Sequence, residues 1–191
     1  MISQDEADKT LRDIDRTMGR TSRGLGYRAG APHLMIWGVI WCLGYGLSFF
    51  SPDLGWHWLV LLGLGILGST MAGIRYAPKR MTHHGPSTAS YHLAGRYLAS
   101  AVLGIGFFTA LFAILPPLNS YQLGSIFPLV VAALYGGIGI WSGQVKLGLT
   151  GLAVGLLTLF GYFMVPNGFE LVLALGGGGA LLLGGLWMRR W

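Results

Sequence analysis

Six apolar stretches punctuate the chain, at residues 34–50, 56–75, 96–115, 122–142, 147–165 and 170–188. A helix crossing the hydrocarbon core of a bilayer needs roughly 20 mainly apolar residues, with a range of about 17–25. All six stretches fall in that range, and the first is the shortest. The connections between them alternate in character. Residues 51–55, 116–121 and 166–169 are short, and each pairs a proline with an Asp or Asn. Proline cannot continue a helix, and Asp or Asn supports a turn. These connections predict three tight hairpins, joined by a long basic segment at 76–95 and a very short one at 143–146. The fold class expected is all-α: a polytopic membrane bundle of six transmembrane helices, occupying residues 31–191.

The first 30 residues are polar and follow a different pattern. Ser3 and Glu6 have the spacing of a capping box. Asp5, Glu6 and Asp8 precede Arg12, Arg16 and Arg20, an order that complements a helix dipole. Ile2, Ala7, Leu11, Ile14 and Met18 form a narrow apolar stripe at helical spacing. Residues 3–20 are expected to form an amphipathic helix. Residues 21–30 contain three glycines and read as a flexible connector to the first span.

Charge orients this layout. All thirteen Lys and Arg residues lie in segments 1–33, 75–96, 143–146 and 189–191. The three proline-bearing turns contain none. Lys and Arg in short loops mark the cytoplasmic face of a membrane protein, so both termini are expected in the cytoplasm and the three turns outside. Deleting or adding one span would move several basic residues to the wrong side. Trp56, Trp58 and Tyr121 fall at the outer ends, and Tyr76, Tyr97, Trp141, Trp187 and Trp191 at the inner ends. Rings with a polar edge favour these interfaces. The layout resembles that of small multi-pass proteins of bacterial inner membranes, and the inner (plasma) membrane is the expected location.

Composition adds two points. Only 10% of residues are charged and 32 are glycine, as suits helices whose backbones approach closely. Small residues recur every fourth position at Gly65–Ser69–Gly73, Gly151–Gly155 and Gly176–Ala180–Gly184. Those faces are equally suited to packing within the chain and to a homo-oligomer. The net charge of +6 does not indicate a nucleic-acid partner, because five acidic residues interrupt the basic ones near the N-terminus. Arg12, Arg16, Arg20 and Arg23 are instead expected to face an anionic inner leaflet, or a cytoplasmic or membrane protein that docks on residues 1–30.

Candidate chemistry is sparse. No ionisable residue stands at the centre of a predicted span, which counts against a proton- or sodium-coupled transporter built on buried carboxylates. His83, His84 and His92 in the inner loop, and Asp53, His57 and Glu170 outside, are the candidate metal or pH-sensing groups. Neither set has the ligand pattern of a structural metal site. Solvated histidines, and carboxylates at helix starts, explain them as well. Hydrolase, metalloprotease and nucleotide-binding motifs are absent, and no cofactor is expected. The function expected is a non-enzymatic interaction, sensor or scaffold subunit. The alternative is a small permease or channel for an apolar or small uncharged solute, with Tyr45, Ser69, Thr109, Tyr135 or Thr158 lining a pathway.

Overall fold

A computed structural model describes residues 4–76 and 119–190 and, between them, 102–103, 106, 109–111 and 114–115; side chains are described from residue 24 onward, 25, 76 and 120 apart. The described residues are helix and turn, with no strand among them. In chain order the helices are α1 (Gln4–Phe50), α2 (His57–Tyr76), α3 (Ser120–Ser142) and α4 (Val145–Met164). A 3₁₀ turn, Pro166–Gly168, leads into α5 (Phe169–Val172), a π-helical segment (Leu173–Gly178) and α6 (Gly179–Arg189). The chain divides into two compact units, Met1–Ala77 with Gly124–Trp191, and Pro78–Leu123.

Five helical segments are long and apolar enough to cross a membrane: Gly26–Phe50, His57–Arg75, Tyr121–Ser142, Val145–Met164 and Pro166–Arg189. They coincide with five of the six apolar runs. The remaining run, 96–115, falls largely outside the described residues, and its described positions from 102 to 114 are helical.

Residues 21–30 depart from expectation. No flexible connector separates an amphipathic helix from the first span. A single helix of 47 residues runs from Gln4 to Phe50, about 70 Å at 1.5 Å per residue. Glycine costs roughly 1 kcal/mol in a helix interior, so the three glycines in this stretch suggested a break. Packing outweighs that preference. Tyr27, Ala31 and Leu34 are buried, and Gly26 lies where a Cβ would meet the Gln144 side chain at 2.8 Å. Pro32 also sits inside α1. The capping residue Ser3 lies outside the described residues.

α1 is the element around which the larger unit assembles. A Cβ on Gly38 would meet the Leu182 backbone nitrogen at 2.9 Å and the Gly178 carbonyl at 3.0 Å, and one on Gly185 would meet the Ala31 carbonyl at 3.0 Å. Rising numbers on α1 thus match falling numbers on α6, and the two helices run in opposite directions. The same holds for α2. A Cβ on Gly65 would meet the Trp37 ring at 3.2 Å, and one on Gly44 would collide with the Trp58 ring at 2.6 Å. α3 and α4 fold back on each other through Gly143, whose φ of 65° suits glycine. Next to that turn the Gly139 and Gly148 backbones touch. A Cβ on Gly151 would meet the Ala132 carbonyl at 2.8 Å, and one on Gly155 the Ala132 side chain at 3.2 Å. Gly176 packs on Leu157, and Gly184 on Thr150. The small-residue pattern therefore serves contacts within the chain at Gly65, Gly151, Gly155, Gly176 and Gly184. Gly73 faces open space.

Phe169, Leu173, Leu181, Met188, Val154 and Thr158 form the fully buried core of this unit. Elsewhere large apolar side chains point outward. Leu59, Leu67, Met71 and Ile74 on α2, and Leu152, Leu156 and Phe163 on α4, are exposed. A soluble monomer rarely shows contiguous apolar surface on that scale. Acyl chains solvate it without penalty, because lipid tails are as apolar as leucine.

Candidate functional site

Ionisable groups collect at the two ends of the larger unit. Opposed helix directions bring Arg28, Arg75, Lys146, Arg189 and Arg190 to one end, and Asp53, His57 and Glu170 to the other. A helix from Glu170 to Arg190 separates the two ends by about 30 Å, the thickness of a bilayer hydrocarbon core.

The acidic end is organised around His57. α2 begins at His57, so its imidazole can fold back over the preceding turn. Nδ1 donates to the Leu54 carbonyl, and Nε2 lies 3.1 Å from the Ser48 hydroxyl and 3.2 Å from the Gly44 carbonyl. The Trp58 indole N–H donates to Ser48 Oγ at 3.0 Å. The Tyr45 ring packs edge-on against Trp58, with centroids 5.0 Å apart, and the Tyr45 hydroxyl donates to the Gly124 carbonyl at 2.9 Å. His57 is 4% exposed, so it is not an interfacial residue reaching outward to Asp53. Asp53 is exposed in the turn, and Glu170 is half-buried in the first turn of α5. Among the described residues no three of His, Cys, Asp and Glu are grouped so as to hold a metal ion. Asp53, His57 and Glu170 form no such group, and His57 is turned inward to the loop carbonyls. Ser48 serves as partner to both His57 and Trp58.

Two of the five residues considered as a pathway lining, Tyr45 and Thr158, are engaged elsewhere. Thr158 is fully buried and donates to the Val154 carbonyl at 2.8 Å. Thr70 and Thr150 likewise bond back to carbonyls four residues earlier. Tyr45 is buried and bonded to Gly124. Ser69 Oγ is the one buried side-chain polar atom without a partner among the described residues. Tyr135 is half-buried, and Thr109 is exposed in the smaller unit.

The basic end is built around Lys146. Its ammonium donates to the Trp187 carbonyl at 2.8 Å. It lies 5.0 Å from the Trp187 ring centroid and 5.6 Å from that of Tyr27. Cations are attracted to aromatic faces at such distances. Its backbone N–H also points at the Tyr27 hydroxyl, 3.4 Å away. Three elements meet here: α1 through Tyr27, α4 through Lys146 and α6 through Trp187. No sequence motif announced this knot, although Trp187 was expected at an inner interface. Beside it, Leu149, Thr150, Ala153, Ala180, Leu183 and Arg190 contribute to an open groove of about 510 Å³ between α4 and α6. Ala180, expected on a packing face with Gly176 and Gly184, lines this groove.

Arg12, Arg16, Arg20 and Arg23 lie on α1, and their side chains are outside the described set. His83, His84 and His92 fall outside the described residues altogether. At the start of α3, sequence reasoning missed a reciprocal cap. The Gln122 N–H donates to Asn119 Oδ1 at 2.7 Å, and the Asn119 N–H donates to Gln122 Oε1 at 3.2 Å. The signal was the Asn-x-x-Gln spacing of a capping box. Compared with known protein families, curated proteins and solved structures, the chain matches none.

Proposed function

We propose that the chain is a non-enzymatic scaffold or sensor subunit of the inner membrane. It would cross the bilayer six times as three hairpins with both termini cytoplasmic, and its N-terminal helix would present a basic surface to a protein partner. The observation that carries this reading is the unbroken α1, Gln4–Phe50. Its membrane-crossing part, Gly26–Phe50, has 25 residues. The remainder extends about 30 Å beyond the bilayer. A rigid helix continuous with the most heavily packed part of the bundle transmits position and rotation, which a flexible connector would not. The extension bears Arg12, Arg16, Arg20 and Arg23. The positive-inside distribution supports a cytoplasmic location for it.

The permease reading draws less support. Tyr45 and Thr158 are buried and hydrogen-bonded, and the ionisable groups of the described spans stand near their ends.

The test is site-specific photocrosslinking in native membranes. A crosslinking residue placed at position 12, 16 or 20 of the full chain is expected to yield a discrete protein adduct. Its yield should fall when the other arginines of the set become Gln. Labelling confined to lipid at all three positions overturns the partner reading.

A further inference from the structure

The groove between α4 and α6 has a direction. Along the two antiparallel helices its lining runs from Ala153 and Ala180 at one end, past Leu149 and Leu183, to Trp187 and Arg190 at the other, the mouth. Arg190 caps α6 ten residues after Ala180, about 15 Å along the helix axis. That is half of the roughly 30 Å hydrocarbon core, the depth of one leaflet. The walls are alanine and leucine, and the Thr150 hydroxyl on the wall is already engaged by the Lys146 carbonyl. Only the mouth is charged.

Arg190 makes no ion pair with a described carboxylate. The carboxylates whose side chains are described, Asp53 and Glu170, stand at the far end of the unit. Lys146 is held next to the mouth by the Trp187 carbonyl and ring, adding positive potential there. Trp187 places an amphipathic ring at the depth of the headgroups.

We infer that this groove is a binding site for one anionic phospholipid, with an acyl chain lying along Ala153, Ala180 and Leu183 and the phosphate at Arg190. The charge complementarity and the one-leaflet length select a lipid as occupant. Basic pockets between membrane helices on the cytoplasmic side recognise anionic headgroups by the same means. The inference needs only that the helices cross a bilayer; it is independent of the partner role and of the number of spans.

The test uses the full chain reconstituted in vesicles of equimolar phosphatidylcholine and phosphatidylglycerol with identical acyl chains, followed by native mass spectrometry. The wild-type chain is expected to retain one phosphatidylglycerol with about fivefold preference, the equivalent of the ~1 kcal/mol that one cation near anionic lipid contributes. Arg190→Gln should abolish the preference while lipid of both kinds is still retained. Ala180→Phe, which fills the groove away from the charge, should lower retention of both. Ala153→Phe is the second such variant if Ala180→Phe does not fold, as judged by thermal unfolding. Equal retention of the two lipids by the wild type overturns the inference. So does a preference that survives Arg190→Gln, or a doubled mass without lipid, which would assign the groove to a second copy. Displacement of the retained lipid by glycerol phosphate added in detergent would assign the site to a free anion and likewise overturn it.

Discussion

Gly38 and Gly178 face each other where α1 crosses the π segment. A Cβ on Gly178 would meet the Cys42 backbone nitrogen at 2.9 Å and the Gly38 carbonyl at 2.9 Å. Backbone atoms cannot swing aside as a side-chain tip can. Gly178→Ala is therefore expected to destabilise the bundle by about 1–3 kcal/mol, the usual cost of overpacking. Gly179→Ala, one residue on, meets open space and is expected to be neutral, or to stabilise by up to roughly 1 kcal/mol through helix propensity. Unfolding curves in detergent measure both, and equal losses would contradict the packing described. Glycine spacing in the sequence located helix contacts but not their partners. Nothing in the run of four glycines distinguished Gly178, against Cys42, from Gly179, against nothing. His57 shows the same limit. Its position at the end of a span was legible, and its inward turn was not. That turn depends on α2 beginning at His57 itself, which sets the imidazole within reach of the Leu54 carbonyl.

Element boundaries were legible where they depend on a local signal. Pro166 and Asn167 end α4 and open a 3₁₀ turn, and Gly143 makes the reversal between α3 and α4. Long apolar runs also left little choice, because a bilayer demands a helix whose backbone bonds are internal. The stretch 21–30 is helical against its local pattern because its local preference and its tertiary role conflict. Its glycines weaken an isolated helix, yet Gly26 sits against Gln144 while Tyr27 and Ala31 are buried against the bundle. Propensity yields to packing of this kind. The π segment Leu173–Gly178 likewise reflects its surroundings, including the Cys42 thiol, which donates to the Ala174 carbonyl at 3.1 Å. Continuity of α1 predicts that amides of residues 22–30 exchange with solvent on the order of a hundredfold or more slower than in a free coil. Hydrogen exchange on the reconstituted chain reads this directly. Coil-like rates across 22–30 would restore the flexible connector and remove the mechanical basis of the partner reading.

Among the residues whose side chains are described, the charges of the larger unit are separated end to end. One end of the larger unit holds Arg28, Arg75, Lys146, Arg189 and Arg190, and the other holds Asp53, His57 and Glu170. Apolar side chains cover the outside between them. The lipid groove and the proposed partner surface both belong to the basic end, the groove as a pocket within the membrane and the helix as an extension beyond it. The partner reading rests further on a proposed arrangement with every Lys and Arg on a single side of the bilayer, which the lipid reading does not require. Cysteine labelling with a membrane-impermeant thiol reagent tests that arrangement most directly, in a Cys42→Ser background that removes the native thiol. Ser51→Cys and Asn167→Cys should label in intact cells. Ser3→Cys, Ser87→Cys and Ser142→Cys should label only after the membrane is permeabilised. Labelling of Ser3→Cys, Ser87→Cys or Ser142→Cys in intact cells would contradict the six-span arrangement with both termini inside.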